Sequence, residues 1–245
     1  MDKKLTFLDG LKHGLPIAIA YIAVSFTFGI AVTNADIPWW FATLISATNL
    51  TSAGQFAGFN LIVLGAGYFE IALAVLVINL RYSLMSLSIS QQLDSSVKTA
   101  KRLIMSLFVT DEIFAVASAQ KNNLNFKYFL GLGLGPYFGW TIGTMLGGLI
   151  NGVLPTALQN ALGIALYCMF IAIIIPPAKK SKAIITCISI ATALSCAFYY
   201  IPVVKDHVSF GFSVIISSVV SSIITALLFP VTEDEELKED AHRNE

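Results

Sequence analysis

Five stretches of this chain hold no Asp, Glu, Lys or Arg at all: residues 15–33, 37–69, 128–178, 183–204 and 208–232. An α-helix needs roughly 20 apolar residues to cross ~30 Å of hydrocarbon. Several of these stretches meet that length, and 128–178 has room for two crossings. A soluble domain is about one quarter charged residues. Here the share is 12%, with 56% apolar residues and a mean hydropathy of +0.76 over 245 residues. The formal net charge is zero, so the composition offers nothing to nucleic acid. The expected fold class is therefore all-α, a polytopic transmembrane helical bundle in a lipid bilayer.

Polar and charged punctuation divides the chain into eight candidate spans, near 15–33, 39–64, 68–90, 103–120, 128–150, 158–175, 183–201 and 208–230. Six to eight of them cross, with eight favoured. The apolar run after Lys3 and Lys4 is longer than the ~7–15 residues of a signal-peptide core, and it reads as a retained first helix. Residues 1–232 form a single transmembrane domain, and 233–245 a charged cytoplasmic tail expected to be disordered. With eight crossings or six, the side carrying both termini collects most of the loop Lys and Arg. The basic side of a membrane protein faces the cytoplasm, so a multi-pass protein of the plasma membrane with both termini cytoplasmic is expected.

Two spans carry residues that break helices. The second is interrupted by Asn49-Leu-Thr-Ser-Ala-Gly-Gln55-Phe-Ala-Gly58. The fifth has glycine at every fourth position (Gly131, Gly135, Gly139, Gly143, Gly147) with Pro136 among them. Each is the middle member of a three-helix group, which suggests inverted three-helix repeats with interrupted middle helices. Such interruptions are the usual sequence pointer to a transporter's central site. Residues 52–58 are expected to be non-helical or kinked and to border a cavity. The glycine ladder itself reads as a close-packing face for another helix.

The residues that carry chemistry are few. Arg81, in Asn79-Leu-Arg81-Tyr82, lies near the middle of the third span, where a lone cation costs several kcal/mol. Asp111 and Glu112 lie near the middle of the fourth. Counted from the loop between the two spans, Arg81 and Asp111 fall at the same depth, which predicts an ion pair. Neighbouring helical residues diverge by ~100°, so Asp111 and Glu112 cannot both face Arg81 alike. The carboxylate left over is placed to carry a proton. A structural ion pair that merely locks two helices is the blander reading, but buried pairs seldom repay their desolvation. Asn79, Arg81, Asp111 and Glu112 are thus the candidates for ion pairing and proton coupling. Asn49, Thr51, Ser52 and Gln55 at the helix break, with Trp140, Thr141 and Thr144 beside the glycines, are candidates to bind a solute. A polar set bonded between helices is an equal alternative for the first four.

Cys168, Cys187 and Cys196 lie unpaired in apolar runs, and His13, His207 and His242 have no partners at metal-ligand spacing. No cofactor, metal or catalytic residue is expected, and no soluble-enzyme motif is present.

Four motifs in order, Ser52-Ala-Gly-Gln-Phe-Ala-Gly58, Asn79-Leu-Arg-Tyr82, Thr110-Asp-Glu-Ile-Phe-Ala115 and Tyr137-x-x-Trp140-Thr-x-Gly-Thr144-x-x-Gly147, resemble the AzlC family of bacterial branched-chain amino-acid permeases, whose members confer azaleucine resistance. The similarity runs over roughly residues 8–176. Where the family usually has Gly-Tyr-x-Pro-x-Gly, this chain has Ala20-Tyr21-Ile22-Ala23-Val24-Ser25. The resemblance implies export of branched-chain amino acids with a small AzlD-type membrane subunit. Proton coupling is expected because no nucleotide-binding loop is present. The alternatives are a channel or uptake carrier for another small solute, and an intramembrane enzyme or scaffold.

Overall fold

The computed structural model describes residues 5–120, 124–150, 181–205 and 207–230, and between 151 and 180 only residues 155, 157, 164, 168, 171 and 174–179. The sixth candidate span and the charged tail lie largely or wholly outside the described residues. The described residues form helices: α1 (Phe7–Asn34), α2 (Trp39–Thr48), α3 (Ala53–Val63), α4 (Tyr68–Gln91), α5 (Thr99–Ser106), α6 (Asp111–Ser118), α7 (Phe126–Ile150), α8 (Lys182–Tyr200), α9 (Pro202–Lys205) and α10 (Phe210–Leu228). Four of them, α1, α4, α8 and α10, are long and apolar enough to cross a membrane by length and composition.

The chain divides into two compact units. The first comprises residues 1–66 and 78–170, and the second 67–77 and 171–245. In the second unit α10 packs along α8, and the start of α4 caps α10. Ser209, the N-cap of α10, makes no capping bond with its own side chain. Instead Glu70 accepts hydrogen bonds from the Gly211 amide at 3.0 Å and from the Ser209 hydroxyl. A carboxylate there also meets the positive end of the helix dipole.

The first unit is built on α1 and α7, which run parallel and touch backbone to backbone. A Cβ on Gly10 would land on the Tyr128 carbonyl, one on Gly14 on that of Leu132, and one on Gly29 on that of Thr144. The α7 ladder reciprocates: a Cβ on Gly131 would land on the Phe7 carbonyl, one on Gly139 would stand 2.6 Å from that of Ala18, and one on Gly147 would land on that of Phe26. The close-packing reading of the glycines therefore holds, and the helix that fills their groove is the chain's own α1. Leu132 is four residues before Pro136, which has no N–H to give its carbonyl. That carbonyl faces the Cα of Gly14.

Of the two expected interruptions, the second span shows one and the fifth does not. Helix α2 ends at Thr48 and α3 starts at Ala53, with Ser52 at φ 37° between them. The break thus covers residues 49–52, while Gln55–Gly58, expected to be irregular, are helical. Helix α7 runs unbroken through Pro136, because its glycines dock on α1 along the whole seam. The other interruption falls in the fourth segment, where α5 stops at Ser106 and α6 begins at Asp111. Thr110 makes that restart by accepting the Ile113 amide on Oγ1 at 3.4 Å.

The two ends of the α5–α6 segment are neighbours. The Asp94 amide donates to the Leu124 carbonyl and the Leu124 amide to the Gln92 carbonyl, each at 2.9 Å. Asn125 donates to the Leu5 carbonyl at 2.7 Å, so the start of α1 lies at the same end. At the other end of the α1–α7 pair, Trp39 packs on Gly148 and the start of α2 sits beside the end of α7.

Candidate functional site

The two breaks place the polar residues of the first unit together. On α4, Arg81 Nη1 lies 2.8 Å from Asp111 Oδ2, with the two side chains 36% and 23% exposed. Arg81 also donates through Nη2 to Tyr82 Oη at 3.2 Å and lies over the Tyr82 ring at 5.0 Å. Tyr82 in turn donates to the Thr51 carbonyl at 3.3 Å. Adjacent residues of α4 therefore hold one break each, Arg81 the second and Tyr82 the first. The long guanidinium fork makes this reach, since it can bind a carboxylate and still donate elsewhere.

Glu112 diverges from Arg81, as helical geometry requires, and finds a partner that the sequence reading missed. Tyr21, 4% exposed on α1, has its hydroxyl 2.5 Å from Glu112 Oε2 and 2.8 Å from Thr110 Oγ1. A phenol has one proton, so it donates to one of these oxygens at a time. Asp111 and Glu112 are the first two residues of α6, where the helix dipole favours anions. They leave with opposite company: Asp111 faces a cation, Glu112 a neutral hydroxyl. Tyr21 stood out in the sequence only as the aromatic of the altered Ala20–Ser25 stretch, with no spacing rule to join it to residue 112.

The expected solute-binding residues separate into two groups. Trp140 Nε1 donates to Gln55 Oε1 at 3.0 Å, Gln55 Nε2 donates to Ser46 Oγ at 2.7 Å, and Ser46 Oγ lies 2.7 Å from Thr144 Oγ1. All four are buried to within 2% exposure. In this conformation Gln55, Trp140 and Thr144 satisfy one another and tie α2, α3 and α7 together; Ser46 is the member that sequence reasoning did not single out. Tyr21 packs edge-on against Trp140 at 5.2 Å, which connects this chain of bonds to Glu112. Asn49 and Ser52 lie in the break itself. The Thr51 hydroxyl donates to Asn49 Oδ1 at 2.7 Å, and Ser52 makes no capping bond to α3. Tyr137 reaches the same break, donating to the Ala47 carbonyl at 3.0 Å, and its ring meets Phe108 of the other break at 5.9 Å.

Two buried polar atoms in this region have no hydrogen-bond partner: Asn79 Oδ1 and Arg81 Nε. The Asn79 amide lies against Gly54, in the first turn after the first break. Native interiors rarely leave such groups unpaired, because each costs ~1–3 kcal/mol. A cavity of about 240 Å³ adjoins the second break, lined among others by Ser86, Ile89, Leu93, Arg102, Met105 and Val109. It lies between α4 and α5. No group of three or more metal-ligating side chains occurs among the described residues.

Comparison with known proteins agrees with this architecture of apolar helices. The chain is 26% identical over 233 residues to the Inner membrane protein YgaZ of Escherichia coli, covering 91% of this chain and 90% of that one. An uncharacterized membrane protein of Archaeoglobus fulgidus is 33% identical over 184 residues, 73% of this chain and 79% of that one. A membrane protein of Helicobacter pylori is 26% identical over 149 residues, 59% of this chain and 64% of that one. No solved structure matches the chain. Residues 16–154 match the AzlC protein family, and that span holds both broken segments, the ion pair and the Tyr21–Glu112 contact. The chain is a membrane protein with transmembrane helices, and it belongs to the AzlC family.

Proposed function

We propose that this chain is a proton-coupled secondary transporter that exports branched-chain or related apolar amino acids across the plasma membrane, with both termini cytoplasmic. The observation that carries this reading is the Arg81–Asp111 pair at 2.8 Å, at the start of a helix that begins mid-segment. Ionisable groups inside membrane segments are costly and mark pathways for solutes and protons. Broken helices supply backbone donors and acceptors for the two ends of a zwitterion. The substrate class follows the AzlC family, as does a small AzlD-type subunit. The α7 ladder is already filled by α1, so such a subunit docks on another face.

The two carboxylates have different roles. Asp111 is clamped by Arg81, while Glu112 faces the Tyr21 hydroxyl and is the carboxylate assigned to proton coupling. Proteoliposomes with an imposed pH gradient test this, assayed with and without the small subunit. A carrier shows saturable uptake with counterflow, a channel shows flux without saturation, and an enzyme consumes the solute. Glu112→Gln should retain exchange between equal pools and lose uphill transport. Asp111→Asn should lose both, because it leaves Arg81 unpaired. If both amides leave gradient-driven transport and its pH profile unchanged, the carboxylates are structural.

A further inference from the structure

We infer that α2–α3 and α5–α6 are re-entrant hairpins which enter the membrane from opposite faces, and that their tips meet at Arg81–Tyr82 to bound the passage of a small zwitterionic solute. The argument starts from depth. Helices α1 and α7 lie side by side from Gly10 and Tyr128 to Gly29 and Gly148, about 19 rises of ~1.5 Å and so roughly 30 Å of hydrocarbon. One end of this pair holds Leu5 and Asn125; the other holds Trp39 against Gly148.

The α5–α6 segment begins and ends at the first of these ends. Its flanking residues Gln92, Asp94 and Leu124 are hydrogen-bonded to one another, and Lys101 Nζ lies 5.6 Å from the Phe126 ring. A crossing would carry its ends ~30 Å apart. Its middle goes deep: Phe108 packs on Gly133 and Tyr137, and Glu112 reaches Tyr21 halfway along α1. The α2–α3 segment does the converse. Trp39 and Ser46 contact Gly148 and Thr144 at the other end of α7, and Thr51 and Gly54 reach Tyr82 and Asn79 in mid-helix. After Val63 the chain needs only four residues to start α4 at Tyr68, whose last turn lies back at the first end.

Both tips thus arrive at the same two residues of α4. Irregular backbone at membrane depth survives only inside protein or along a water-filled path. Each tip has an unpaired partner beside it: Asn79 Oδ1 against Gly54 after the first, Arg81 Nε next to Asp111 after the second. One is an acceptor and one a donor, as the ammonium and carboxylate of an amino acid require. The cavity of about 240 Å³ ends at Val109, at the second tip, and forms the vestibule on that side. The topology stands without the transport function proposed above; the identity of the solute rests on it.

The test is single-cysteine labelling in the full chain, in a background where Cys168, Cys187 and Cys196 are serine, with a membrane-impermeant maleimide applied to each face. Ser95→Cys and Ala119→Cys should react from one face, and Pro38→Cys and Gly67→Cys from the other. If Ser95 and Ala119, or Pro38 and Gly67, react from opposite faces, that segment crosses and the proposal fails. At the tips, Ser52→Cys and Ser106→Cys should react despite their depth; if neither reacts, no passage lies between them. Arg81→Lys separates site from function, since it keeps a cation for Asp111 and removes Nε. It should raise the KM for amino acid at least tenfold with the labelling pattern intact. An unchanged KM in a transporting protein overturns the solute site, whereas a wild-type protein that moves no amino acid while the labelling holds overturns the function alone.

Discussion

Helix α7 holds seven glycines and a proline yet runs unbroken, whereas the α2–α3 segment, with two glycines and no proline between Trp39 and Val63, is in two pieces. Five laddered glycines and Pro136 leave α7 unbroken for 25 residues, whereas residues 49–52 stop the other segment after ten. The difference lies in what each segment packs against. Four of the five ladder glycines, Gly131, Gly139, Gly143 and Gly147, let α7 approach the α1 backbone, and dispersion along that seam rewards an unbroken helix. The α2–α3 segment has no such seam. Its polar groups turn to the Gln55–Ser46–Thr144–Trp140 chain, and its broken backbone is held by Tyr82 and Tyr137. The α7 glycines are thus contact devices where a backbone meets them, while the break in α2–α3 falls at residues 49–52, which hold no glycine.

Removing the charge that joins the two breaks should have the largest effect. Arg81→Ala leaves the part-exposed Asp111 without its cation in a membrane segment, where a lone charge costs several kcal/mol. Melting in detergent should shift downward strongly, and Asp111→Asn introduced into the same chain should restore part of the loss. Next is the α7 seam. Gly139→Val should cost about 3 kcal/mol or more, because its Cβ would stand 2.6 Å from the Ala18 carbonyl, which is backbone. Gly135→Ala sharpens the contrast: its Cβ would be 3.6 Å from that of Ala18, an ordinary contact. It should be neutral or gain up to ~1 kcal/mol from helix propensity. If both behave alike, the seam is not what keeps α7 unbroken.

The polar knot of α2–α3 should be weaker. Trp140→Phe leaves Gln55 Oε1 without its donor and should cost about 1–3 kcal/mol, with freer proteolysis near residues 49–52. Tyr21→Phe removes the hydroxyl shared by Glu112 and Thr110. It should cost a similar or smaller amount while shifting the pH profile of transport. Smallest of all, Ser52→Gly relaxes a residue at φ 37° and should stabilise by about 0.5–1 kcal/mol, read from the same melting curve.

Much of the site is legible in the sequence because the membrane makes charge expensive. Arg81, Asp111 and Glu112 stand out simply by lying in apolar surroundings, and equal counts from a shared loop set them at equal depth. Gln55, Trp140 and Thr144 were visible as polar residues near glycines, but not that they bond to one another. That pairing joins residues 85 apart in the chain, and no local pattern encodes it. The second break was hidden for a similar reason. Leu107–Val109 are apolar residues without glycine or proline, so only Thr110, a competent N-cap, hinted that a helix could restart there.

Hydropathy and charge placement alone determine that this chain lives in a membrane as helices, since backbone polar groups in hydrocarbon must be bonded within their own segment. They also determine which few side chains carry chemistry, since burial penalises every charge that has no use. Tertiary structure decides which helices break, and which carboxylate faces Arg81 and which faces Tyr21. Those outcomes depend on the backbone that lies opposite each residue: α1 opposite the α7 glycines, and α4 opposite both breaks. Contact between distant segments is a property of the fold, and a periodicity of 3.6 residues carries no record of it.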